Sequence, residues 1–227
     1  MNTEPKVVLS VVVGSQLHGL ANDKSDTDIR GVFMHPLIDF ISPFKTLKNT
    51  SWIEGDIDNT SYELCEFAKY ATKGNMTILE IMWSNMVRES DPIIGRAIQE
   101  NRSKFLDSEG IFNAAKGYAH NQYNKMNLFQ PDARTPKFVI AYIRVLQQAI
   151  ELLTDGTFSP QIIRNKDLLL EIKYKWSDEM IPVVSKLFAA LQVELADVHA
   201  RHHDAFTPDI PWIEAFLFQA YYDSVNA

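Results

Sequence analysis

The sequence predicts an α+β chain: a small mixed or antiparallel sheet with helices over residues 1–110, followed by an α-helical subdomain over 111–227. Three observations carry this reading. The run Val7–Val13 is apolar and β-branched, broken only by Ser10, and stops at Gly14, as a buried strand does. A second strand-like stretch, DTDIRGVFM, begins at Asp26. From Ile111 onward, apolar residues recur at helical spacing almost without interruption. Hydrophobic content of 46% and charged content of 22% belong to an ordinary globular protein. A length of 227 residues suffices for one large domain or two small ones.

The first strand runs into Gly14-Ser15, where a short helical segment is expected. Backbone N–H groups at a strand-to-helix turn favour an anion, and glycine permits the close approach of a phosphate. Asn22–Ser25 has turn chemistry, and the second strand follows. Asp26 and Asp28 are two residues apart, so on a strand they project to one side, with Thr27 and Ile29 on the other. Two carboxylates so placed suit a hard divalent cation. One stretch therefore offers a phosphate cradle beside a metal clamp.

Pro36 and Pro43 punctuate a connection, and Trp52-Ile53 is compatible with a further strand. Ile57–Tyr62 reads as a strand leading into a helix over Tyr62–Ala71, closed by Gly74. Asp56, Asp58 and Glu63 are candidates for a third carboxylate beside the first two. Thr77–Met86 is a second apolar helix pattern, with Thr77 as its cap. Ser90-Asp91-Pro92 breaks the chain before another helix from Ile93. Lys104–Gly110 is the expected boundary between the two parts.

Helices are expected over Phe112–Phe129 and Lys137–Leu153, the latter ending at Asp155-Gly156. Gln161–Lys175 is a basic segment, and Ser177 is placed to cap a helix reaching about Arg201. Trp212–Tyr222 is a last apolar helix, expected to dock on the helical bundle. Lys137 and Arg144 stand seven residues apart on one helical face, suited either to an anion or to solvent. His199, His202 and His203 form the one histidine cluster, without a cysteine nearby.

The pattern GS-x10-D-x-D resembles the signature of the DNA polymerase β-like nucleotidyltransferase superfamily. Its longer form, Gly14-Ser-x-x-x-Gly19 with Ser25-Asp-x-Asp-x-Arg-Gly-Val32, is similar to the branch of predicted nucleotidyltransferases that includes bacterial and phage proteins associated with RNA-repair ligases. The resemblance extends to TKGNMTILEIMW and KDLLLEIKYKW and covers most of the chain. It implies a minimal α/β core in which Gly14 and Ser15 bind the triphosphate and Asp26 and Asp28 hold two Mg²⁺ ions. It favours Asp58 as the third carboxylate, four residues before an aromatic-led helix. Arg30 shares the strand face of the aspartates and is placed either to reach a phosphate oxygen or to pair with them. Lys137 and Arg144 match a lysine and arginine of the family, whereas Phe138 and Ala141 stand where its members often carry histidines.

The implied reaction is Mg²⁺-dependent transfer of an NMP from an NTP to a hydroxyl, with an RNA end, a protein or a small molecule as acceptor. The rival reading is a non-catalytic NTP-binding module or an RNA-processing accessory protein. A net charge of −7 argues against broad, nonspecific nucleic-acid binding. A single cysteine, Cys65, precludes an intrachain disulfide. With no signal peptide and no apolar run of spanning length, a cytoplasmic setting without membrane contact is expected.

Overall fold

The β-branched run opens the sheet as expected: Lys6–Val13 forms β1. The structure is a computed structural model and describes residues 5–47, 59–128 and 134–226. β1 passes directly into the four-residue helix α1, Gly14–Leu17. β2, Asp28–Met34, returns antiparallel to β1. β3, Asn59–Glu63, lies parallel to β2, and β4, Val87–Ser90, lies antiparallel to β1. The sheet is therefore mixed, in the order β3-β2-β1-β4. β1 is central, and Val8, Leu9, Val11 and Val13 are wholly buried, which is what its near-continuous apolar composition requires.

Several elements differ from expectation. The connection after β2 contains a short helix, α2, Leu37–Ile41. Tyr62 lies in β3 rather than opening the next helix, and Glu63, the last residue of β3, caps α3, Leu64–Ala71, by accepting from the N–H groups of Cys65 and Glu66. α4, Met76–Trp83, ends three residues before Met86, and the chain turns into β4. β4 is an edge strand with all four residues exposed, so its sequence, VRES, lacks the apolar alternation that marks a strand. The stretch around Trp52 lies outside the described residues.

The chain divides into two compact units, one of Met1–Thr72, Thr77–Phe105 and Pro208–Ala227, the other of Lys73–Met76 and Leu106–Thr207. The first holds the sheet, α1 to α4, α5 (Ile94–Glu100) and a 3-10 turn at Arg102–Phe105. It also takes the final helix, α10, Ile210–Asn226, which packs on α2, α3 and that 3-10 turn. The expectation that this helix docks on the helical bundle is thus corrected. Its apolar stripe meets Phe105 through Trp212, at 6.1 Å between ring centres, and Phe40 through Tyr221, at 5.2 Å.

The second unit comprises α6 (Ser108–Leu128), α7 (Thr135–Asp155), α8 (Lys166–Lys175) and α9 (Ile181–His202). α7 is its centre and packs against the other three. Val139, Tyr142, Ile143, Leu146, Ala149 and Leu153 recur at helical spacing and are buried. Tyr142 stacks on Phe188 at 3.8 Å and receives a hydrogen bond from Gln192 Nε2. Gly156 ends α7 in the left-handed region, φ 68°, as the sequence Asp155-Gly156 anticipates. No helix among the described residues is long and apolar enough to cross a membrane.

Candidate active site

The end of β1, α1 and the start of β2 form one corner of the first unit. The register pairs Val13 with Asp28, so Gly14 begins its turn directly beside that carboxylate. Gly14 has φ +68°, and a Cβ built on it would lie 1.9 Å from Asp28 Oδ2. Only glycine fits here, on both counts: the backbone is left-handed and the space is already filled by Asp28. His18 N–H donates to the Gly14 carbonyl at 3.0 Å and Leu20 N–H to the Ser15 carbonyl at 2.9 Å, closing the turn.

β2 begins at Asp28, so Asp26 lies two residues before the strand, exposed, and not on it as the alternation suggested. A side chain of α1 fixes that approach. Gln16 Nε2 donates to Thr27 Oγ1 at 2.7 Å and to the Asp26 carbonyl at 3.4 Å. The ten-residue spacing between the glycine-serine pair and the first aspartate is therefore a loop, pinned at Asn22–Ser25 by the Ser25 N–H to Asn22 carbonyl bond at 2.9 Å and tied back by Gln16. Gln16 was not singled out in the sequence. Its signal is its position, immediately after Ser15 on a four-residue helix.

Asp28, Arg30 and Val32 alternate onto one face of β2. Arg30 Nη1 lies 3.4 Å from Glu80 Oε2, a carboxylate that neither expectation for Arg30 named. Glu80 is 1% exposed and its other oxygen meets Nε2 of the buried His18. Glu63, one of the three candidates for a third carboxylate, is 1% exposed and engaged through both oxygens. It caps α3, and the Tyr221 hydroxyl donates to its Oε1. Burial and this carboxylate push the Tyr221 hydroxyl far above its ordinary pKa, so it stays a donor. Asp56 and the favoured Asp58 lie outside the described residues, and β3 starts at Asn59, paired with Ile29, the neighbour of Asp28.

Among the described residues, no three His, Cys, Asp or Glu side chains gather into a metal cage. The histidine cluster of α9 forms none: His199 stacks on Phe112 at 3.9 Å and its Nε2 lies 2.9 Å from Glu109. Lys137 and Arg144 lie on α7 in the second unit, the first exposed, the second half-buried and donating from Nη1 to Gln148 Oε1 at 2.9 Å.

Comparison with protein families matches residues 2–215 to RlaP, described as the RNA repair pathway DNA polymerase beta family. The chain belongs to this family. The match includes the glycine turn, both aspartates and all of the helical unit, and the resemblance carried by GS-x10-D-x-D is borne out. Membership of a polymerase beta-like family supports a nucleotidyltransferase-like role in general. No curated protein matches the chain.

Proposed function

We propose that this family member transfers a nucleotidyl group from an NTP to a hydroxyl acceptor, using Mg²⁺ held at Asp26 and Asp28. The observation that supports the proposal is the seating of Asp28 against Gly14, a carboxylate beside the turn that we propose receives the triphosphate. The donor set fits the ion. Mg²⁺ takes hard oxygen ligands and is commonly held by one or two carboxylates together with substrate phosphates, and Asp26 and Asp28 are such a pair, one exposed and one half-buried. Asp58 is proposed as the third carboxylate because it leads the chain into β3 at Asn59, beside the strand that carries Asp28.

In the proposed reaction the acceptor oxygen bonds to the α-phosphorus and gives its proton to solvent, the bond from that phosphorus to the α–β bridging oxygen breaks, and pyrophosphate departs. Bound Mg²⁺ supplies charge neutralisation of the triphosphate and activation of the acceptor hydroxyl. The chain's own part is orientation. Gly14 and Ser15 receive the β- and γ-phosphates, Gln16 holds the approach to Asp26, and Arg30 presents a cation on the face of Asp28. Lys137 and Arg144 are proposed as further triphosphate cations on the sequence resemblance alone.

The family's link to RNA repair favours an RNA end as the acceptor, ahead of a protein or small molecule. The test is incubation with each labelled NTP, Mg²⁺ and RNAs bearing free 3′ hydroxyls, scoring label transfer and pyrophosphate release. Asp26→Asn and Asp28→Asn should abolish both while the fold persists by circular dichroism. Nucleotide binding without pyrophosphate release under any acceptor would favour the non-catalytic reading.

A further inference from the structure

We infer that Glu80 is a positioning residue, holding Arg30 on one side and the turn after Gly14–Leu17 on the other, so that the two halves of the nucleotide site keep one geometry. The inference rests on the nucleotidyl-transfer reading and deepens it. α4 is buried almost all round: Ile78, Leu79, Ile81 and Met82 are wholly inaccessible, and Glu80 between them is 1% exposed. A carboxylate in that setting costs several kcal/mol unless it is paired and hydrogen-bonded, about the penalty expected for a buried ion. Replacing a whole buried charged cluster by apolar side chains of similar volume is often neutral or stabilising, whereas removing one member alone is costly. The presence of a charge here therefore calls for a reason other than stability.

Its contacts supply one. Oε1 meets His18, the residue that ends α1, whose own N–H closes the Gly14 turn. Oε2 pairs with Arg30, two residues after Asp28 on the same strand face. One side chain thus joins the phosphate turn to the metal strand. Arg30 keeps 31% of its side chain exposed while one guanidinium nitrogen, Nη1, is held at Glu80. A guanidinium carries five N–H donors in a rigid fork, and Glu80 engages it through one, which fixes the direction of the others.

Isothermal titration with Mg²⁺ and a non-hydrolysable NTP analogue tests this on wild type, Glu80→Gln, Arg30→Lys and the double variant. Each single change should weaken binding about tenfold, the scale of one charge-assisted hydrogen bond. The double variant should be no weaker than the weaker single, because both changes disable one device. Additive losses, or unchanged binding in Glu80→Gln, would overturn the inference. If Glu80→Gln does not fold, Glu80→Asp, which keeps the charge and shortens the reach, gives the same readout. A second measurement needs no nucleotide: ¹⁵N spectra should show hindered guanidinium rotation for one arginine, absent in Arg30→Lys and released in Glu80→Gln. Unchanged hindrance in Glu80→Gln sinks the anchor. A wild type that binds no nucleotide sinks the transfer reading and the positioning role with it, while released hindrance would still record the anchor.

Discussion

Replacing Gly14 by alanine perturbs the corner on which the proposed chemistry depends. Two effects are separable. The first is conformational: at φ +68° an alanine bears a left-handed penalty of about 1 kcal/mol. In a chain of this size that lowers the melting temperature by roughly 2–4 °C. The second is positional. The new methyl would stand 1.9 Å from Asp28 Oδ2, whereas ordinary contact begins near 3.4 Å, so the carboxylate must move by the difference, 1.5 Å. A misplacement of about 1 Å at a reacting centre can cost on the order of a hundredfold in rate. Gly156→Ala provides the control, since Gly156 shares φ +68° and its new Cβ would meet the ring of Phe206 at 3.1 Å, with no carboxylate beside it. Both variants should melt a few degrees early, by about the left-handed penalty. Only Gly14→Ala should lose about a hundredfold in kcat/KM for the NTP, scored by pyrophosphate release. Equal activity in the two variants would refute the assignment of Asp28 to the reacting centre.

Other predictions follow from contacts around that corner and beyond it. Gln16→Ala should cut transfer about tenfold through loss of the bond to Thr27, with little change in melting; unchanged kcat/KM would count against that tie. Tyr221→Phe removes the donor to buried Glu63 and should cost about 1–3 kcal/mol in urea unfolding; an unchanged midpoint would contradict the bond. Burial, aided by Glu63, pushes the Cys65 thiol from 9.0 up to about 11. At pH 8 it should carry about a hundredfold less thiolate than the unfolded chain and react with Ellman's reagent correspondingly slowly. The same shift favours the neutral folded form, so its stabilisation is complete below pH 9.0 and is lost as pH rises towards about 11. Burial raises the Asp91 carboxyl, but the Lys6 ammonium and the N–H groups of Ile94 and Ile93 outweigh it and hold the group below 3.8. Its contribution is therefore present above that value and lost as pH falls through the depressed folded pKa. Asp91→Ala should cost about 1 kcal/mol at neutral pH, and the gap to wild type should close in acid.

The corner was legible because its sequence is rigidly constrained. A β-branched run, a glycine and two aspartates at fixed spacing leave few arrangements, and β1, α1 and β2 fell within a residue or two of where the pattern put them. Asp26 was misplaced onto the strand because D-x-D alternation looks the same whether or not the first residue is paired. β4 was invisible because an exposed edge strand has no apolar signature. Glu80 was hidden inside an apolar run, since pattern reading assigns such a residue to the outer face of a helix, and α4 has none. The apolar stripe of α10 was read correctly as a docking surface. A stripe, however, names a face and not its partner, which here is the sheet unit.

That placement of α10 bears on how the protein is made. The first unit is split along the chain, with its sheet at one end and its last helix beyond the whole helical unit. During synthesis, β1 to β3 leave the ribosome long before the hydroxyl of Tyr221 can reach Glu63. Until the 158 residues that separate the two have been added, Oε1 of the Glu63 carboxylate lacks its tyrosine donor, although Oε2 already has the N–H groups of Cys65 and Glu66 beside it in the chain.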